Sequence, residues 1–353
     1  MHKKVYIILL NYNGWADTIE CLESVLRNDY PNYQVIVVDN NSPNNSMDYI
    51  KKWAEGKLDV WVDPKQPLRH LSFPPVKKPI PYVYYNREEA ESGGDIELES
   101  SLIDQIPDEI TSKYPLVFIQ AGENGGFAAG NNIGIKYALA KNDFEYVCLI
   151  NNDTVVEKDF LSLIINKMQN NTKIGICASK INYYSNPNLI WSNGGTLNKV
   201  TSQTKHIDYQ KIDNNQEPNS KITFLTGCMW VIKKEIFQIV GLLNESYFMY
   251  VEDLEYSYKV QKAGYRLEIE HTSKIYHKVG ASSDGEISEF STYWMMKNRV
   301  KFILSNLKNI YKITSLCFVI LTRILRFPKW IFKGHINIVK AQINGFYRGI
   351  MKK

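Results

Sequence analysis

The stretch VYIILLNYNG, residues 5–14, begins the pattern that decides the fold. Its six apolar residues are followed by an asparagine-rich loop. A segment with helical spacing, TIECLESVLRN (residues 18–28), comes next, and then a second apolar run within YQVIVVDNNS (residues 33–42). Continuous Ile/Val runs that alternate with amphipathic helices are typical of a parallel sheet covered on both faces. We therefore predict an α/β protein with a mostly parallel sheet.

The same alternation resumes further along the chain. It continues through PLVFIQAGENGG (115–126), GNNIGIKYALAKN (130–142), YVCLINNDTVV (146–156), KDFLSLIINKMQ (158–169) and IGICASKI (174–181). Open sheets of this kind bind ligands beyond the carboxyl ends of their strands. Four such ends carry the polar sequences NYNG, DNNS, GENGG and NNDT. We therefore expect the binding site at this edge of the sheet.

Composition narrows the class of protein. The chain has 353 residues, of which 44% are hydrophobic and 22% charged, and this predicts one large catalytic domain with an appendage. The formal charge of +5 arises partly from a C-terminal region rich in Lys and Arg. A basic footprint confined to the tail argues against nucleic acid as a partner.

The cysteines and the N-terminus both point to the cytoplasm. The five cysteines are scattered and form no CxxC pair, which is typical of reduced thiols. The first apolar run is too short for a signal peptide. We expect a cytoplasmic protein, with peripheral contact at the inner face of the plasma membrane through its tail.

Two regions depart from the alternating pattern. Residues 59–113 are rich in proline and then in acidic residues, so we interpret them as an insertion with an extended piece near PYVYYN, not as a separate domain. The mostly apolar segment 313–332 contains Arg323, Arg326, Pro328 and Lys329, too many interruptions for a spanning helix. It predicts an interfacial helix or one packed on the core. We divide the chain into a catalytic domain, 1–300, and a basic amphipathic helical tail, 301–353.

Three strand-end features could carry chemistry. Asp39 could accept a hydrogen bond from a nucleoside, or simply cap the next helix. The glycines of ENGGFAAGNNIG (residues 123–134) could let backbone N–H groups approach an anion, or simply form a tight turn. Asp153 could help to bind Mg²⁺ or Mn²⁺ together with substrate phosphates, or close a turn. The chain has neither the G-x-G-x-x-G fingerprint nor a P-loop, which argues against a dinucleotide fold and excludes a P-loop site.

A fourth candidate is FMYVEDLEYSYKVQKAGYRL, residues 248–267. Its acids Glu252, Asp253 and Glu255 begin a segment with amphipathic helical spacing. Acidic residues in the first turn of a helix interact favourably with the helix dipole and stabilise the helix. This is one interpretation of the three acids. The other is that a carboxylate at the helix N-terminus acts as a general base beside a site built on the sheet edge. We expect Glu255 to be solvated.

Together these motifs resemble family 2 inverting glycosyltransferases. VYIILLNYNG, VIVVDNNS, ENGGFAAGNNIGI, LINNDTVV, FMYVEDLEYSYKVQKAGYR and HKVG occur in the order and approximate spacing of that family. They look most like the rhamnosyltransferase-like branch, which uses dTDP-L-rhamnose. The resemblance implies a GT-A type nucleotide-diphosphosugar transferase fold with a C-terminal helical extension, and a divalent metal, Mg²⁺ or Mn²⁺.

The resemblance also implies roles for individual residues. Asp253 is the expected general base, with Glu252 orienting or tuning it. Asp153 is the expected metal ligand of a D-x-D position that is altered here to Asn151-Asn152-Asp153. His277 would bind the metal or line the diphosphate, although a structural role is the competing interpretation. The expected donor-binding residues are Asn11, Asn13, Asp39, Asn124, Gly126, Asn131, Asn152 and Trp191, and Trp191 has a core position as its alternative.

The implied function is transfer of a sugar with inversion at the anomeric carbon. L-Rhamnose from dTDP-rhamnose is the expected donor, and a glycan or lipid-linked hydroxyl in cell-surface polysaccharide assembly is the expected acceptor. The alternatives are a galactofuranosyl- or hexosyltransferase that uses a UDP-sugar, a sugar nucleotidyltransferase, and a non-enzymatic carbohydrate-binding protein. A nucleotidyltransferase should carry Arg and Lys directly after the first strand, and NYNGWAD has no cation.

Overall fold

The computed structural model describes residues 2–279 and 288–351. The strands are β1 Val5–Asn11, β2 Tyr33–Asp39, β3 Tyr82–Asn86, β4 Leu116–Gln120, β5 Tyr146–Asn151, β6 Thr154–Val156, β7 Ile174–Tyr183, β8 Ile190–Ser192, β9 Gly195–Asn198, β10 Gln203–His206, β11 Met229–Lys233 and β12 Arg266–His277. The α-helices are α1 Trp15–Val25, α2 Ser46–Ala54, α3 Arg87–Glu91, α4 Ile96–Ser101, α5 Gly126–Lys141, α6 Phe160–Asn170, α7 Lys234–Ile239, α8 Glu252–Lys262, α9 Glu289–Asn306, α10 Asn309–Phe332 and α11 Ile336–Ile350.

Within these two ranges, one sheet contains ten of the strands. Its order is β3-β4-β2-β1-β5-β11-β7-β12-β6, and β8 pairs with β7. The strands β3, β4, β2, β1 and β5 are mutually parallel, whereas β11 runs antiparallel to both β5 and β7. The sheet is therefore mostly parallel but mixed, and β9 and β10 form a separate antiparallel pair.

The predicted strand ends meet at one edge of this sheet. β1 and β2 pair in register from Val5 with Tyr33 to Asn11 with Asp39, so both strands end side by side. β2 is buried throughout, and β1 nearly so, which explains their continuous apolar sequence. β5 ends beside β1 with Leu10 opposite Asn151. The NYNG, DNNS and NNDT loops are consequently neighbours.

The insertion adds a strand to the main sheet. β3 pairs in parallel with β4, from Tyr82 with Leu116 to Asn86 with Gln120, and it is the extended piece expected near PYVYYN. A buried carboxylate, Glu23 of α1, holds another part of the insertion: it accepts hydrogen bonds from Val76 N at 2.7 Å and Lys78 Nζ at 2.8 Å. The insertion is thus packed onto the same core.

Three helices form the C-terminal region. The division expected between residues 300 and 301 falls inside α9, because the helix is continuous from Glu289 to Asn306. α11 packs closely on α9: a Cβ atom on Gly345 would lie 2.6 Å from Tyr293 O, and one on Gly349 would lie 2.6 Å from Lys297 O. Glycine at both positions lets the two helix backbones approach each other.

α10 presents many apolar side chains to the surface. Its exposed apolar residues include Ile313, Leu321, Ile324, Leu325 and Phe332. Among residues 2–279 and 288–351, we find no helix with the length and apolar content needed to span a bilayer.

Candidate active site

Asp39 lies at the carboxyl end of β2 in a polar network. It is buried, with 2% of its surface exposed. Its carboxylate accepts hydrogen bonds from Asn11 Nδ2 at 2.7 Å, Ser42 Oγ at 2.6 Å and Ser42 N at 3.0 Å. These bonds join the ends of β1 and β2 and give the DNNS loop a defined shape.

The same network reaches β5 through Asn11 and Asn152. Thr18 Oγ1 donates to Asn11 Oδ1 at 3.0 Å, and Asn152 Nδ2 donates to Thr18 Oγ1 at 2.9 Å. Asn13 contributes through its backbone, because its N–H donates to Ser42 Oγ at 2.9 Å. The structure therefore brings together four of the predicted donor-binding residues, Asn11, Asn13, Asp39 and Asn152.

A second network ties the glycine-rich loop to β2. Asn40 Nδ2 donates to Asn124 Oδ1 at 2.9 Å and to Gly126 O at 3.2 Å. Gly126 has a φ of +82°, and a Cβ atom there would lie 1.9 Å from Phe248 O. Phe127 N also donates to Phe248 O at 2.9 Å. The glycine therefore permits a close approach between this loop and the segment that precedes α8.

Asn131 lies one turn into α5 and is buried. Its Nδ2 donates to Phe127 O at 2.9 Å within its own helix. The next residue, Asn132, is equally buried, and its Nδ2 donates to Leu243 O at 2.9 Å. These contacts connect the helix to its surroundings, and a role for Asn131 at the donor stays a prediction.

Asp153 and His277 form the candidate metal site. Asp153 lies in the turn between β5 and β6, and both of its carboxylate oxygens are 3.2 Å from Nε2 of His277 at the end of β12. The His277 Nδ1 is buried and has no hydrogen-bond partner among the described residues. Gly280, the last residue of the HKVG stretch, lies outside the described residues.

The chemistry of this pair fits a divalent metal shared with a substrate. A carboxylate and an imidazole are ligands that Mn²⁺ accepts. Within residues 2–279 and 288–351, no cluster of three or more His, Cys, Asp or Glu side chains could hold a metal ion. A site of two side chains would rely on diphosphate oxygens and water to complete the coordination of a metal.

Trp191 packs against this pair. Its ring contacts that of His277 edge to face, with centroids 4.7 Å apart, and it also contacts His206 at 4.9 Å. Burial lowers the pKa of His206 to about 4, so this imidazole is neutral at physiological pH. Trp191 is partly exposed. It therefore lies beside the candidate metal ligands and packs against the main apolar core, and its role at the donor stays a prediction.

Asp253 lies in the first turn of α8 and is held by backbone N–H groups. Gly227 N donates to its Oδ2 at 3.1 Å, and Leu254 N donates to its Oδ1 at 2.7 Å. The loop that contains Gly227 continues into β11 and lies beside the end of β5, because Asn151 N donates to Cys228 O at 2.8 Å. Two hydrogen bonds, through Gly227 and Cys228, therefore link the candidate base to the strand end that precedes Asp153.

The two acids of the Glu252-Asp253 pair have different environments. Glu252 is 7% exposed, and its Oε2 has no hydrogen-bond partner among the described residues. Burial, together with the charge of Asp253, raises the pKa of Glu252 well above its usual value. Burial also raises the pKa of Asp253, to about 6, against the opposing effect of the N–H donors. Burial and the repulsion between the two acids therefore disfavour the simultaneous ionisation of both carboxyls.

The environment of Glu252 predicts an unusual stability effect. A carboxyl with a raised pKa in the folded state stabilises the fold below its unfolded pKa and loses that contribution as pH rises. Glu252→Gln has no proton to lose, so we expect it to be more stable than the wild type at pH 8.5, by about 1–3 kcal/mol. The difference should shrink at pH 5.5. Thermal denaturation at both values measures it, and an equal difference at both would contradict the assignment.

Glu255 provides the matched control, and its position corrects one expectation. The expectation of a solvated side chain was wrong: Glu255 is 2% exposed and lies 2.7 Å from Lys259 Nζ. An i,i+4 partner one turn further along the helix explains how the carboxylate is buried. Glu255→Gln should therefore destabilise the protein at pH 8.5, opposite in sign to Glu252→Gln.

Two residues that contact the base or its turn were not anticipated from the sequence. Gly227 donates to the Asp253 carboxylate, and Asn298 of α9 donates to the carbonyls of Met249 and Tyr250. Asn298 could have been noticed in the sequence, because it is a single amide on the apolar side of a helix. For Gly227, LTGC before an apolar run indicates only a turn.

The sequence is similar to those of known glycosyltransferases. A relative from Haloferax volcanii, described as the low-salt glycan biosynthesis hexosyltransferase Agl10, is 25% identical over 240 residues, which is 67% of this chain and 76% of that protein. The dTDP-rhamnosyl transferase RfbF of Shigella flexneri is 27% identical over 184 residues, which is 50% of this chain and 57% of that protein. The chain thus spans little more than half of RfbF.

Solved structures show the same fold. The mannosyltransferase PcManGT from Pyrobaculum calidifontis, solved with GDP-Man and Mn²⁺, superposes with a TM-score of 0.51 at 13% identity, covering 100% of this chain and 87% of that one. GalNAc-T7, solved with UDP, GalNAc and Mn²⁺, superposes with a TM-score of 0.52 at 12% identity. That match covers 86% of this chain and 48% of that one. Both likenesses establish the GT-A type architecture.

The family assignment rests on the sequence profile of glycosyl transferase family 2. It matches residues 6–66 and 101–241, more than half of the chain. The gap between the two matched segments falls within the insertion. The matched segments contain the networks around Asp39, Asn124 and Asp153, whereas Asp253 and His277 follow them. The chain therefore belongs to glycosyl transferase family 2 and is a glycosyltransferase.

Proposed function

We propose that this protein transfers a sugar from a nucleoside-diphosphosugar to an acceptor hydroxyl, with inversion and with Asp253 as the general base. The observation that carries the proposal is the placement of Asp253. Its carboxylate accepts hydrogen bonds from Leu254 N and Gly227 N, and Cys228, the residue after Gly227, is hydrogen-bonded to Asn151 at the strand end that precedes Asp153. A pKa near 6 leaves it ionised at neutral pH and close to the range that favours a general base.

The proposed reaction is a single displacement. The acceptor oxygen forms a bond to the anomeric carbon as its proton passes to the Asp253 carboxylate. The bond from that carbon to the diphosphate breaks, and the electron pair leaves with the nucleoside diphosphate. The raised pKa of Glu252 favours its neutral form, which adds no second negative charge beside Asp253.

The residues at the sheet edge would hold the donor. Asp153 and His277 would hold the divalent metal, which when bound neutralises charge on the diphosphate. The Asn11, Asp39 and Asn152 network would face the nucleoside and its phosphates, with Asn124 and Gly126 shaping the adjacent loop. Trp191 would lie beside the metal ligands, against the transferred sugar.

L-Rhamnose from dTDP-rhamnose is the donor we propose. The match to a protein described as a dTDP-rhamnosyl transferase supports it. A UDP-hexose is the second candidate, favoured by the match to a protein described as a hexosyltransferase. A glycan or lipid-linked glycan hydroxyl is the acceptor class that we propose, because Agl10 is described as acting in glycan biosynthesis.

A donor screen tests the proposal. The thermal shift of the protein should be largest with dTDP-rhamnose plus Mn²⁺ and smaller with UDP-galactose or UDP-glucose. The same donors are then incubated without acceptor, and the release of free nucleoside diphosphate is measured, since slow hydrolysis distinguishes a transferase from a binding protein. A larger shift with a UDP-sugar would move the assignment to the second candidate. No shift and no hydrolysis with any donor would contradict it.

We propose further that the C-terminal helices contact an anionic membrane, where a lipid-linked acceptor would lie. Exposed apolar residues of α10 alternate with Arg323, Arg326 and Lys329, and no acidic residue occurs between Phe290 and Lys353. An apolar face flanked by cations is typical of helices that lie in the membrane interface.

Vesicle flotation measures this contact. The wild-type protein should float with vesicles that contain phosphatidylglycerol and much less with pure phosphatidylcholine. Replacing Leu325 and Phe332, which are 78% and 95% exposed, with serine should reduce flotation without affecting the fold. Ile239→Ser, on the exposed face of α7, is the matched control. Equal flotation of all three proteins would contradict membrane contact through α10.

A further inference from the structure

The turn that leads into α8 has an unusual backbone. Tyr250 has a φ of +68° and Val251 a φ of +75°, both in the left-handed region. Non-glycine residues rarely adopt this conformation, and for a β-branched residue such as valine it is a genuine outlier. Strained residues of this kind persist only where the surrounding structure holds them. The turn immediately precedes Glu252 and Asp253, so its shape sets the direction of the candidate base.

One side of this turn is held by the glycine-rich loop. Phe127 N donates to Phe248 O at 2.9 Å, and Gly126 leaves room for the same carbonyl. This contact fixes the first residue of the turn. It does not reach the two residues with positive φ.

On the other side, an amide side chain of α9 contacts the turn. Asn298 of α9 is fully buried, and its Nδ2 donates to Met249 O at 2.8 Å and to Tyr250 O at 2.9 Å. A primary amide offers two N–H donors from one nitrogen, which matches two successive carbonyls in a tight turn. Both carbonyls belong to the peptides that lead into Tyr250 and Val251, so these two bonds act directly on the strained conformation.

The docking of α9 itself does not depend on this amide. Val300, Phe302 and Ile303 of α9 pack in an apolar cluster with Leu254 of α8. Tyr258 also contacts Phe302 edge to face, with centroids 5.6 Å apart. The apolar contacts hold the two helices together, and the amide of Asn298 acts locally on the turn.

We propose that Asn298 is a positioning residue for the catalytic base: its two hydrogen bonds hold the 248–251 turn in the conformation that aims the Asp253 carboxylate. This inference rests on the proposed function, in which Asp253 takes the acceptor proton. The hydrogen bonds of Asn298 go to this turn, and none of those described reaches Asp153 or His277. The loss of Asn298 should therefore lower kcat and leave donor binding intact.

The test compares Asn298→Asp with the wild type. Aspartate keeps the size of the side chain but removes both donors and faces the two carbonyls with a carboxylate. We expect kcat to fall by about 10- to 100-fold, since small misplacement of a reacting group has effects of this size. The donor Kd, measured by calorimetry, should change by less than about threefold. Asn298→Ser retains one hydroxyl donor and should give an intermediate kcat. If the aspartate variant does not fold, the serine variant tests the positioning role instead.

Arg299→Gln is the matched control on the same helix. Arg299 donates from Nε to Ser202 Oγ at 3.0 Å and from Nη2 to Thr201 O at 2.7 Å, so it anchors α9 at a place remote from the turn. This variant should lower the melting temperature and keep kcat near the wild-type value. If kcat instead falls in proportion to melting temperature in all three variants, Asn298 is merely structural and the inference is overturned.

A double variant separates this inference from the proposed function. Once the base has been removed, its orientation no longer affects the rate. The double variant Asp253→Asn plus Asn298→Asp should therefore be no slower than Asp253→Asn alone. Multiplicative losses would overturn the positioning role. If Asp253→Asn itself turns over normally, the proposed base is wrong. If Asp253→Asn is impaired and the Asn298 variants are not, only the positioning role is wrong.

Discussion

Asp253→Asn should lower kcat by about 10²- to 10⁴-fold, the range expected when a positioned general base is removed. Asparagine keeps the size of the side chain and can still accept the N–H of Gly227, so the turn and helix should be retained. The donor Kd should be nearly unchanged, because the proposed donor contacts lie on the strand ends. Turnover, donor affinity and melting temperature are to be measured on the same preparation.

The control for this variant is another aspartate at a helix N-terminus. Asp159 precedes α6, is exposed, and makes no side-chain capping bond, so Asp159→Asn repeats the change in charge beside a helix dipole away from the site. If the acids of α8 serve the helix dipole alone, both variants should lose about 0.3–1 kcal/mol of stability and keep normal turnover. Normal turnover in Asp253→Asn would therefore favour the dipole interpretation over the base.

Asp153→Ala should remove the metal dependence of donor binding. In the wild type, dTDP should bind more weakly in EDTA than in Mn²⁺. Calorimetry measures the dissociation constant under both conditions. We expect Asp153→Ala to bind about 10- to 100-fold more weakly in Mn²⁺ and to show no further loss with EDTA. The readout is the ratio of the two dissociation constants, which does not depend on turnover. An unchanged ratio would mean that Asp153 holds no metal.

Two histidine variants make this result specific. His277→Ala should reduce the ratio of the dTDP dissociation constants in EDTA and in Mn²⁺, as Asp153→Ala does. The reason is that the His277 Nε2 lies 3.2 Å from the Asp153 carboxylate. His206→Ala removes the other histidine that packs on Trp191 and should leave the ratio unchanged. A similar effect from both histidines would point to altered packing around Trp191 and not to coordination.

The strand ends could be predicted because each is a local pattern. β1 and β2 are apolar runs that end in Asn11 and Asp39, and parallel pairing in register brings such ends together. The Asp153 turn and the N-terminus of α5 follow from the same rule. The family resemblance added the roles of Asp253 and His277, which periodicity alone did not supply.

Other features depend on contacts between residues far apart in the chain. The antiparallel direction of β11 is set by its neighbours β5 and β7, and its apolar run, residues 229–232, carries no directional signal. The positive φ values at Tyr250 and Val251 could not be anticipated, because neither residue type favours them. The burial of Glu255 depends on Lys259 together with the packing around α8.

The glycines of α11 have a consequence for recombining this protein with its relatives. A side chain at Gly345 or Gly349 would collide with carbonyl oxygens of α9, so the two helices behave as one interlocked unit. Exchanging α10 and α11 alone would place a foreign helix against a surface shaped for glycine. A chimera meant to alter membrane preference should therefore carry α9, α10 and α11 together. Because Asn298 lies on α9, such a transplant would also replace the residue that we propose to position the base, so the two proposed properties would change together.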